Sequence, residues 1–474
     1  MTSATVVGAG PNGLAAAVTL AQHGVSVTVL EAAATIGGGT RTSELTVPGV
    51  LHDECSAVHP IAAASPFLRS LDLAAHGLEW RQPEIAVAHP LDSGSAGVLH
   101  TSIEDTAAAL GTDGRAWSRV FGQLAHDIDA LSAEFFRPIV HIPRHPIAMT
   151  RFGLNALLPA TLTARRWRNV ETRALFGGIA AHALHPLSRP TTSAVGMMLI
   201  AAGHRYGWPV AKGGSRAITD ALAAVLTDHA GKIETGVRVD SLESLPPSDI
   251  TMLDLSPTAV AEIAGDLLPA RVARAYRRWR YGPAAFKMDL AVEGGIPWRN
   301  GQCRKAGTVH LGGTFEEITV AERAVHAGAM PDRPFMLVGQ QYLADPSRSS
   351  GDVHPIWTYA HVPHGYTGDA TEAMLTQMER FAPGVRDRIV GQFVRTTRDM
   401  STYNPNYVGG DIVTGSNDPL QVAFRPRIAL NPYETGIPGV YICSAATPPG
   451  AGVHGMGGHN AALSALRTLD VRPI

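Results

Sequence analysis

The chain has 474 residues, 45% of them hydrophobic and 17% charged, and its formal net charge is −2. This length accommodates two domains with substantial cores. The near-zero charge gives no reason to expect a nucleic-acid partner or bulk attraction to anionic membranes.

The three cysteines, Cys55, Cys303 and Cys443, neither suggest a disulfide framework nor have the spacing of a metal site. We therefore expect no metal and a reduced, cytoplasmic setting. No signal-peptide pattern precedes the first apolar run. The longest apolar stretch, residues 194–202, is much shorter than the roughly 20 residues that cross a bilayer.

The first forty residues predict a βαβ unit. An apolar run at 4–7, a glycine turn at 8–13, an Ala/Leu-rich helix at 14–23 and a β-branched run at 25–31 follow one another. The turn fits the pattern G-x-G-x-x-G, in which Gly8 permits a tight turn, Gly10 lets a pyrophosphate approach the backbone and Gly13 lets the helix pack on the strand. The unit predicts a dinucleotide site.

Two further features of this unit define the predicted ligand contacts. The helix that follows Pro11 and Asn12 directs its free N–H groups and positive dipole end at the phosphates. Glu31, followed by Ala32, ends the second strand at the place where a carboxylate accepts both ribose hydroxyls. An acid there disfavours the 2′-phosphate of NADP.

The next segment adds more glycines, Gly38 and Gly39, followed by Thr40 and Arg41. The combination resembles the double-glycine extension of FAD-dependent oxidoreductases of the amine oxidase and phytoene desaturase superfamily. The resemblance implies that Gly38, Gly39 and Arg41 border the pyrophosphate of FAD and that Thr40 belongs to the same cofactor site. Gly39 stands where relatives have an arginine, so Arg41 is expected to replace it.

The resemblance also implies that residues 51–60 run beneath the flavin ring. Ser56 and Ala57 would bring their backbone close to the reactive N5 edge, and His59 would face the substrate. An ordinary loop histidine before a proline is the alternative for His59. Cys55 stands where relatives have glycine, and it is either a small buried residue or a covalent flavin attachment point.

The glycine-rich character disappears between residues 80 and 189. We expect helices over 116–131 and an irregular segment over 135–149. Residues 157–176 mix apolar side chains with four arginines, and two interpretations stay open. The segment is either a helix that lies on a membrane surface or a solvated helix that covers a substrate pocket.

Residues 194–202 predict a buried helix, and a helix over 216–230 and two short strands over 231–242 follow. By resemblance, the second strand returns to the cofactor, where the backbone of Val239 would meet the adenine ring.

Residues 284–292 alternate as a strand and place Lys287 and Asp289 on one face. In many relatives a lysine at about this place holds a water against flavin N5. A salt bridge on the outer face of the sheet is the equally weighted alternative for Lys287. The strands predicted from residues 307–364 complete one antiparallel sheet.

The C-terminal stretch contains a second glycine-rich strand-to-helix turn. Residues 440–447 predict a short strand that ends near Ser444 and Thr447, and an Ala/Leu helix begins after Gly455 and Met456. A helix N-terminus here would stabilise negative charge on the N1/O2 edge of a reduced flavin. His454 precedes this helix as a candidate to face flavin or substrate, with a plain loop histidine as the alternative.

The sequence therefore predicts an α/β fold. A Rossmann-type (GR2-like) FAD-binding domain is expected from residues 1–85, 190–265 and 402–474. An α+β substrate domain on a mixed or antiparallel sheet is expected from 86–189 and 266–401. The whole chain most resembles phytoene-desaturase-like NAD(P)/FAD-dependent oxidoreductases, including the pyridine nucleotide-disulfide oxidoreductase domain 2 group. No C-x-x-C pair is present, so disulfide chemistry has no support.

The predicted activity is FAD-dependent oxidation, desaturation or isomerisation of an apolar small molecule, with Lys287, His59 and His454 as candidates for proton handling. A flavin amine oxidase is the near alternative, and a flavoprotein that acts only through protein contacts is the distant one. Peripheral membrane contact, the electron acceptor and the oligomeric state stay open.

Overall fold

The structure is a computed structural model and describes residues 2–469. The strands are β1 (Ser3–Val7), β2 (Ser26–Glu31), β3 (Thr42–Glu44), β4 (Leu51–Asp53), β5 (Trp80–Arg81), β6 (Ile85–Pro90), β7 (Ala96–Leu99), β8 (Val210–Ala211), β9 (Lys232–Thr235), β10 (Ile250–Leu253), β11 (Ala284–Glu293), β12 (Ala306–Leu311), β13 (Met336–Gly339), β14 (Val353–Val362), β15 (Ile389–Arg395) and β16 (Val440–Ile442).

The α-helices are α1 (Pro11–Gln22), α2 (Pro60–Ala64), α3 (Pro66–Ser70), α4 (Ile103–Ala109), α5 (Gly114–His126), α6 (Ile128–Phe135), α7 (Pro146–Ala156), α8 (Ala160–Thr163), α9 (Val170–Ala180), α10 (Thr192–Tyr206), α11 (Arg216–Asp228), α12 (Pro257–Ala264), α13 (Ala270–Arg277), α14 (Phe315–His326), α15 (Thr371–Phe381), α16 (Thr397–Tyr403), α17 (Pro419–Ala423) and α18 (Met456–Thr468).

A five-stranded parallel sheet holds the two ends of the chain together. Its strand order is β16-β10-β1-β2-β9. Helices α1, α11 and α18 bury one face of this sheet through side chains such as Leu14 and Leu222. Helices α12 and α13 bury the other face, with Val260 and Tyr276 among their contacts. Both faces are covered, as the near-continuous apolar runs of parallel strands require.

A seven-stranded mixed sheet forms the second layer, in the order β15-β11-β14-β13-β12-β6-β7. Its neighbours pair antiparallel except β12 and β6, which are parallel. On one face of β11, Phe286 and Met288 pack in a core that includes α15. On the other face, Ala285 packs in a cluster that includes α5, α9 and α10. The sheet is therefore buried on both faces.

Two local expectations are wrong, and a third holds only in part, because the segment expected to be irregular over 135–149 gives way to α7 at Pro146. Only β9 forms within residues 231–242, because Gly236, at a φ of 73°, turns the chain away and Val237 N–H donates to Glu31 O instead of continuing a ladder. Residues 157–176 do not form one helix. Pro159 precedes the short α8, a 3₁₀ turn follows, and α9 begins only at Val170.

Within residues 2–469, no helix combines the length and apolar character that crossing a bilayer requires.

Candidate active site

A cleft of about 950 Å³ begins at the C-terminal ends of β1 and β2 and continues to β13, β14 and α10. In open parallel sheets, ligands bind at this edge, where the strand order reverses. Here the reversal falls between β1 and β10, because the chain leaves β1 for β2 on one side and later returns to β10 on the other. The topology therefore places the glycine turn at the mouth of the cleft.

The glycine turn leaves no room for side chains. Gly8 has a φ of 102°, which favours glycine. A Cβ on Gly13 would lie 2.0 Å from Gly8 O, so glycine is required for α1 to pack on β1. Helix α1 begins at Pro11, the preceding Gly10 provides no side-chain cap, and the first turn of the helix faces the cleft. The turn thus retains the open backbone that a pyrophosphate needs.

Two carboxyl groups flank this turn. Glu31 accepts the Ala9 N–H at 2.7 Å and the Ala33 N–H at 2.9 Å, which fixes its carboxylate at the end of β2. Asp254, directly after β10, accepts the Gly13 N–H at 3.0 Å. Burial raises the pKa of Asp254 to about 7, and the charge of Glu31 adds to this shift. A protonated Asp254 would reduce repulsion of a phosphate.

The double glycine is covered by two tyrosines. The Tyr403 hydroxyl donates to Gly38 O at 2.7 Å, and the Tyr407 hydroxyl occupies the space that a Cβ on Gly39 would need. Arg41 lines the cleft, but its guanidinium is tied to protein acceptors, including Glu31 at 3.3 Å. The Arg41 guanidinium would therefore contact a pyrophosphate while it is also paired with Glu31.

The second glycine-rich turn lies against the first. A Cβ on Gly458 of α18 would lie 1.8 Å from Asn12 O, so the two helices cross in direct backbone contact near their N-termini. The buried Asn12 Oδ1 has no hydrogen-bond partner and borders the cleft. His454 Nδ1 accepts the Met456 N–H at 3.0 Å, which caps α18. Burial lowers the pKa of His454 to about 4, so its ring is neutral at pH 7.

The segment before α2 forms one wall of the cleft. Trp357 Nε1 donates to Cys55 O at 2.9 Å and fixes the backbone that precedes Ser56. His59 Nε2 hydrogen-bonds Ser215 Oγ at 2.8 Å. Burial lowers the pKa of His59 to about 4, so this ring is also neutral at pH 7.

Lys287 lies behind the wall and not in it. Its Nζ pairs with Asp289 and lies 5.8 Å from the centre of the Trp357 ring, which itself borders the cleft. Burial lowers the pKa of Lys287 and raises that of Asp289 to about 6, so burial opposes the charge on each partner while their mutual attraction supports it. The pair is fully buried, whereas the salt-bridge alternative placed it on an outer face.

The cleft collects most of the predicted site residues. Those that line it are Gly8, Gly10, Pro11, Asn12, Glu31, Ala32, Gly38, Gly39, Arg41, Ser56, Ala57, His59, Val239, Ser444 and His454. The other predicted site residues lie behind this lining: Gly13, Thr40, Thr447, Gly455, Met456 and Lys287.

Sequence reasoning missed four residues of the site: Asp254, Tyr403, Tyr407 and Arg425. Asp254 had a detectable signal, because it directly follows a strand predicted for the parallel sheet. Tyr403 is the last residue of α16, and Tyr407 and Arg425 lie in loops. Nothing in the spacing of these three residues indicates which cavity they border.

The fold and this cleft define the class: a protein with a Rossmann-type dinucleotide-binding domain and a second, mixed-sheet layer. Residues 6–71 match the family described as NAD(P)-binding Rossmann-like domain. The chain is similar to the pyridine nucleotide-disulfide oxidoreductase domain-containing protein 2 of Rattus norvegicus, with 22% identity over 98% of this chain and 93% of the relative. The predicted resemblance is thereby confirmed.

Solved structures support the same architecture. An oxidoreductase from Methanosarcina mazei superposes with a TM-score of 0.63 at 15% identity, over 99% of this chain and all of its own. Putrescine oxidase bound to putrescine gives a TM-score of 0.62 at 16% identity, over 99% of each chain. At these identities the similarity concerns the fold.

The residues present fit FAD, the cofactor that the sequence predicts. The open glycine turn would bind the pyrophosphate, and Glu31 would accept hydrogen bonds from the adenosine ribose. The paired N-termini of α1 and α18 would stabilise the negative charge of the cofactor. The unpartnered Asn12 Oδ1 is an acceptor, so it would receive a hydroxyl donor of the cofactor and not a phosphate oxygen.

Proposed function

We propose that this chain is an FAD-dependent oxidoreductase that acts on a predominantly apolar small molecule by dehydrogenation, desaturation or a related redox or isomerisation reaction. The observation that carries this proposal is the wall of the cleft beyond the glycine turn. Aliphatic and aromatic side chains dominate that wall: Phe135, Phe136, Phe152, Val195, Met198, Leu199, Trp208, Leu337, Trp357 and Tyr359.

The distribution of acids favours an apolar substrate over an amine. Among the described residues, the carboxylates that line the cleft are Glu31, Asp240, Asp254 and Glu262. All four belong to the parallel-sheet layer, and none comes from the helices and strands that form the apolar chamber. A protonated amine would be left there without an opposite charge, which is costly in a water-poor cavity. Similarity to putrescine oxidase is a similarity of fold and does not change this argument.

Bound FAD would supply the two-electron acceptor for the reaction. The chain would contribute orientation and exclusion of water. Trp357 holds the Cys55 backbone in place, and the apolar walls confine the substrate. His59 and His454 border the cleft as neutral imidazoles at pH 7. The acceptor nitrogen of His454 is already used by the Met456 N–H, so His59 is the remaining candidate for a proton acceptor.

Anaerobic mixing of the FAD-loaded protein with candidate substrates tests the proposal. Bleaching of flavin absorbance by an isoprenoid alkene supports it, and bleaching by an alkylamine alone supports the amine oxidase alternative and contradicts it. Met198→Gln should weaken apolar-substrate binding about tenfold, because an amide replaces a thioether in the chamber wall. Met330→Gln, a partly buried methionine outside the cleft lining, is the matched control.

A further inference from the structure

Arg425 is a buried arginine in the wall of the cleft. It follows α17, and only 2% of its surface is exposed. Gly450, with a φ of 118°, packs directly against it, and a Cβ there would lie 2.3 Å from Arg425 Nη1. The chain therefore leaves space for this guanidinium to lie between α17 and the second glycine-rich turn.

The hydrogen bonds of this guanidinium are few and long. Nη1 reaches Ala445 O at 3.3 Å, and Nη2 reaches Asn417 Oδ1 at 3.5 Å. Nε has no partner, and no described carboxylate forms a salt bridge with Arg425.

Two titratable groups act on Arg425 from neighbouring elements. Asp411 raises its pKa, but the Asp411 carboxylate already accepts the N–H groups of Gly282 and Gly415, each at 2.8 Å. His454 is neutral at pH 7 and offers no negative charge. Burial dominates and lowers the pKa of Arg425 to about 10, so the side chain stays charged at pH 7.

A buried charge without an opposite charge is strongly unfavourable, and proteins rarely keep one without a use. A planar guanidinium with free donors is suited to bidentate binding of a carboxylate. Arg425 is nine-tenths buried, borders the cavity and retains an unused donor, so it has the properties of an anion-binding group.

We propose that Arg425 binds a carboxylate of the substrate, which makes the substrate an apolar molecule that carries one carboxylate. This inference rests on the proposed function and specifies its substrate class. Asn417 contacts the Arg425 guanidinium through Oδ1, and its Nδ2 donates to Ala183 O at 3.0 Å. The guanidinium therefore lies beside the helices that form the apolar chamber. The pyrophosphate end of the cleft lies instead at Gly10 and Asp254.

Decanoate, decanol and decylamine, titrated into the oxidised FAD-loaded protein and followed by flavin absorbance and calorimetry, test the proposal. Wild type should bind decanoate about 10- to 100-fold more tightly than decanol, the range expected for a charge-assisted pair. Arg425→Gln should remove this difference and leave decanol affinity unchanged. Arg427→Gln, two residues away and outside the lining, should retain it. Arg425→Lys should give an intermediate affinity for decanoate.

Three results would overturn the proposal. Equal affinity of wild type for decanoate and decanol would remove the carboxylate preference while leaving the apolar chamber intact. A change in flavin reduction potential in Arg425→Gln, with decanoate affinity unchanged, would assign the guanidinium to the reduced flavin. Failure of all three ligands to bind would contradict the apolar chamber itself, and with it the proposed function.

A second, independent observation concerns the surface around α7. The region 137–168 exposes large apolar side chains to solvent, which we call the α7 surface: Val140 (68%), Ile142 (90%), Ile147 (67%), Leu154 (71%) and Leu157 (66%). Helix α7 is apolar on two faces, because Ala148, Phe152 and Ala156 face the core. A helix that only covered a pocket would present polar residues outward.

The charges of the same region have one sign. Residues 137–168 contain six arginines and no Asp or Glu. The loop that exposes Ile142 is fixed, because the buried Glu134 accepts the N–H groups of Arg144 and His145 at 2.7 Å each. Ile139 and Phe152 from this region also line the cleft.

The geometry points to an anionic lipid bilayer as the occupant of the α7 surface. Exposed apolar side chains with flanking arginines are suited to the boundary between headgroups and acyl chains. Continuity with the cleft lining would let an apolar substrate enter from the lipid side.

Vesicle cosedimentation of the FAD-loaded protein tests this assignment. Binding should require phosphatidylglycerol in phosphatidylcholine vesicles and weaken with salt. Ile142→Asp/Leu154→Asp should reduce binding about tenfold or more. Val320→Asp, an exposed valine on α14, is the control that should not. Absence of vesicle binding by wild type, or a dimer that the double variant dissociates in light scattering, would overturn the assignment.

Discussion

The ion pair of Lys287 and Asp289 offers a sharp test of how the wall of the cleft is stabilised. Both side chains are buried, at 2% and 0% exposure, on the face of β11 that points towards Trp357. His52 Nδ1 lies 3.7 Å from Asp289 Oδ1, but burial lowers the pKa of His52 to about 3, so it brings no compensating charge. Lys287→Met therefore leaves the Asp289 carboxyl without its partner.

The expected loss is about 3–5 kcal/mol of the free energy of unfolding, the range for removing one partner of a buried pair. Typical total stabilities are about 5–15 kcal/mol, so the variant should be clearly destabilised but measurable in most cases. Replacing both partners in Lys287→Met/Asp289→Leu should recover most of the loss, because no buried charge then remains. The exposed pair of Lys305 and Glu84 is the control, and Lys305→Met should cost less than about 1 kcal/mol.

The loss should also depend on pH. Burial raises the folded-state pKa of Asp289 to about 6 from the ordinary value of 3.8, even beside Lys287. Below pH 3.8 the Asp289 carboxyl is protonated in both the folded and the unfolded state of Lys287→Met, so the loss of stability relative to wild type is small. This loss should increase as the pH rises through the folded-state pKa of the wild type, because the unfolded variant ionises Asp289 freely and the folded variant, without Lys287, does not.

Urea unfolding followed by circular dichroism, at several pH values, measures each of these quantities. A loss below 1 kcal/mol at pH 8 for Lys287→Met, or a loss that grows on acidification, would refute the reasoning. Flavin reduction and reoxidation rates of the same variant test the predicted proton-handling role of Lys287 separately.

Further predictions concern the glycine turns and the cofactor. Gly13→Ala should cost about 1–3 kcal/mol in urea unfolding, because the new Cβ meets the Gly8 carbonyl. Gly10→Ala should keep near-wild-type unfolding, because its Cβ meets the end of the Asp254 side chain and is otherwise in ordinary contact with Gly38 Cα. It should lose FAD in fluorescence titration, because a Cβ there blocks the approach of a pyrophosphate to the backbone. Equal unfolding losses in the two variants would contradict this. His454→Ala should lower the midpoint of thermal unfolding by removing about 1 kcal/mol of capping from α18, and an unchanged midpoint would show that the cap contributes nothing. Burial raises the pKa of the Cys55 thiol, which disfavours the thiolate that covalent attachment would use, so acid denaturation should release all flavin from the chain; yellow colour retained on the precipitate would disprove it.

The structural elements that depend on short, local sequence patterns could be predicted from the sequence. The βαβ unit with Gly8, Gly10 and Gly13, the helix over residues 216–230 and the second glycine-rich turn all follow from periodicity, turn residues and helix ends. The second strand expected after β9 failed because a β-branched run forms a strand only where a partner edge is available, and Gly236 turns the chain away from that edge.

The sequence by itself determined that a dinucleotide cradle stands at the start of this chain, because the backbone conformation of that turn permits only glycine at defined spacings. It also determined which residues of β11 share a face, because side chains alternate along any strand. Only the tertiary structure decided that Lys287 lies behind the cleft wall and Arg425 within it. Those positions depend on which loops and sheets pack together, and contacts between residues far apart in the chain leave no periodic trace in the sequence.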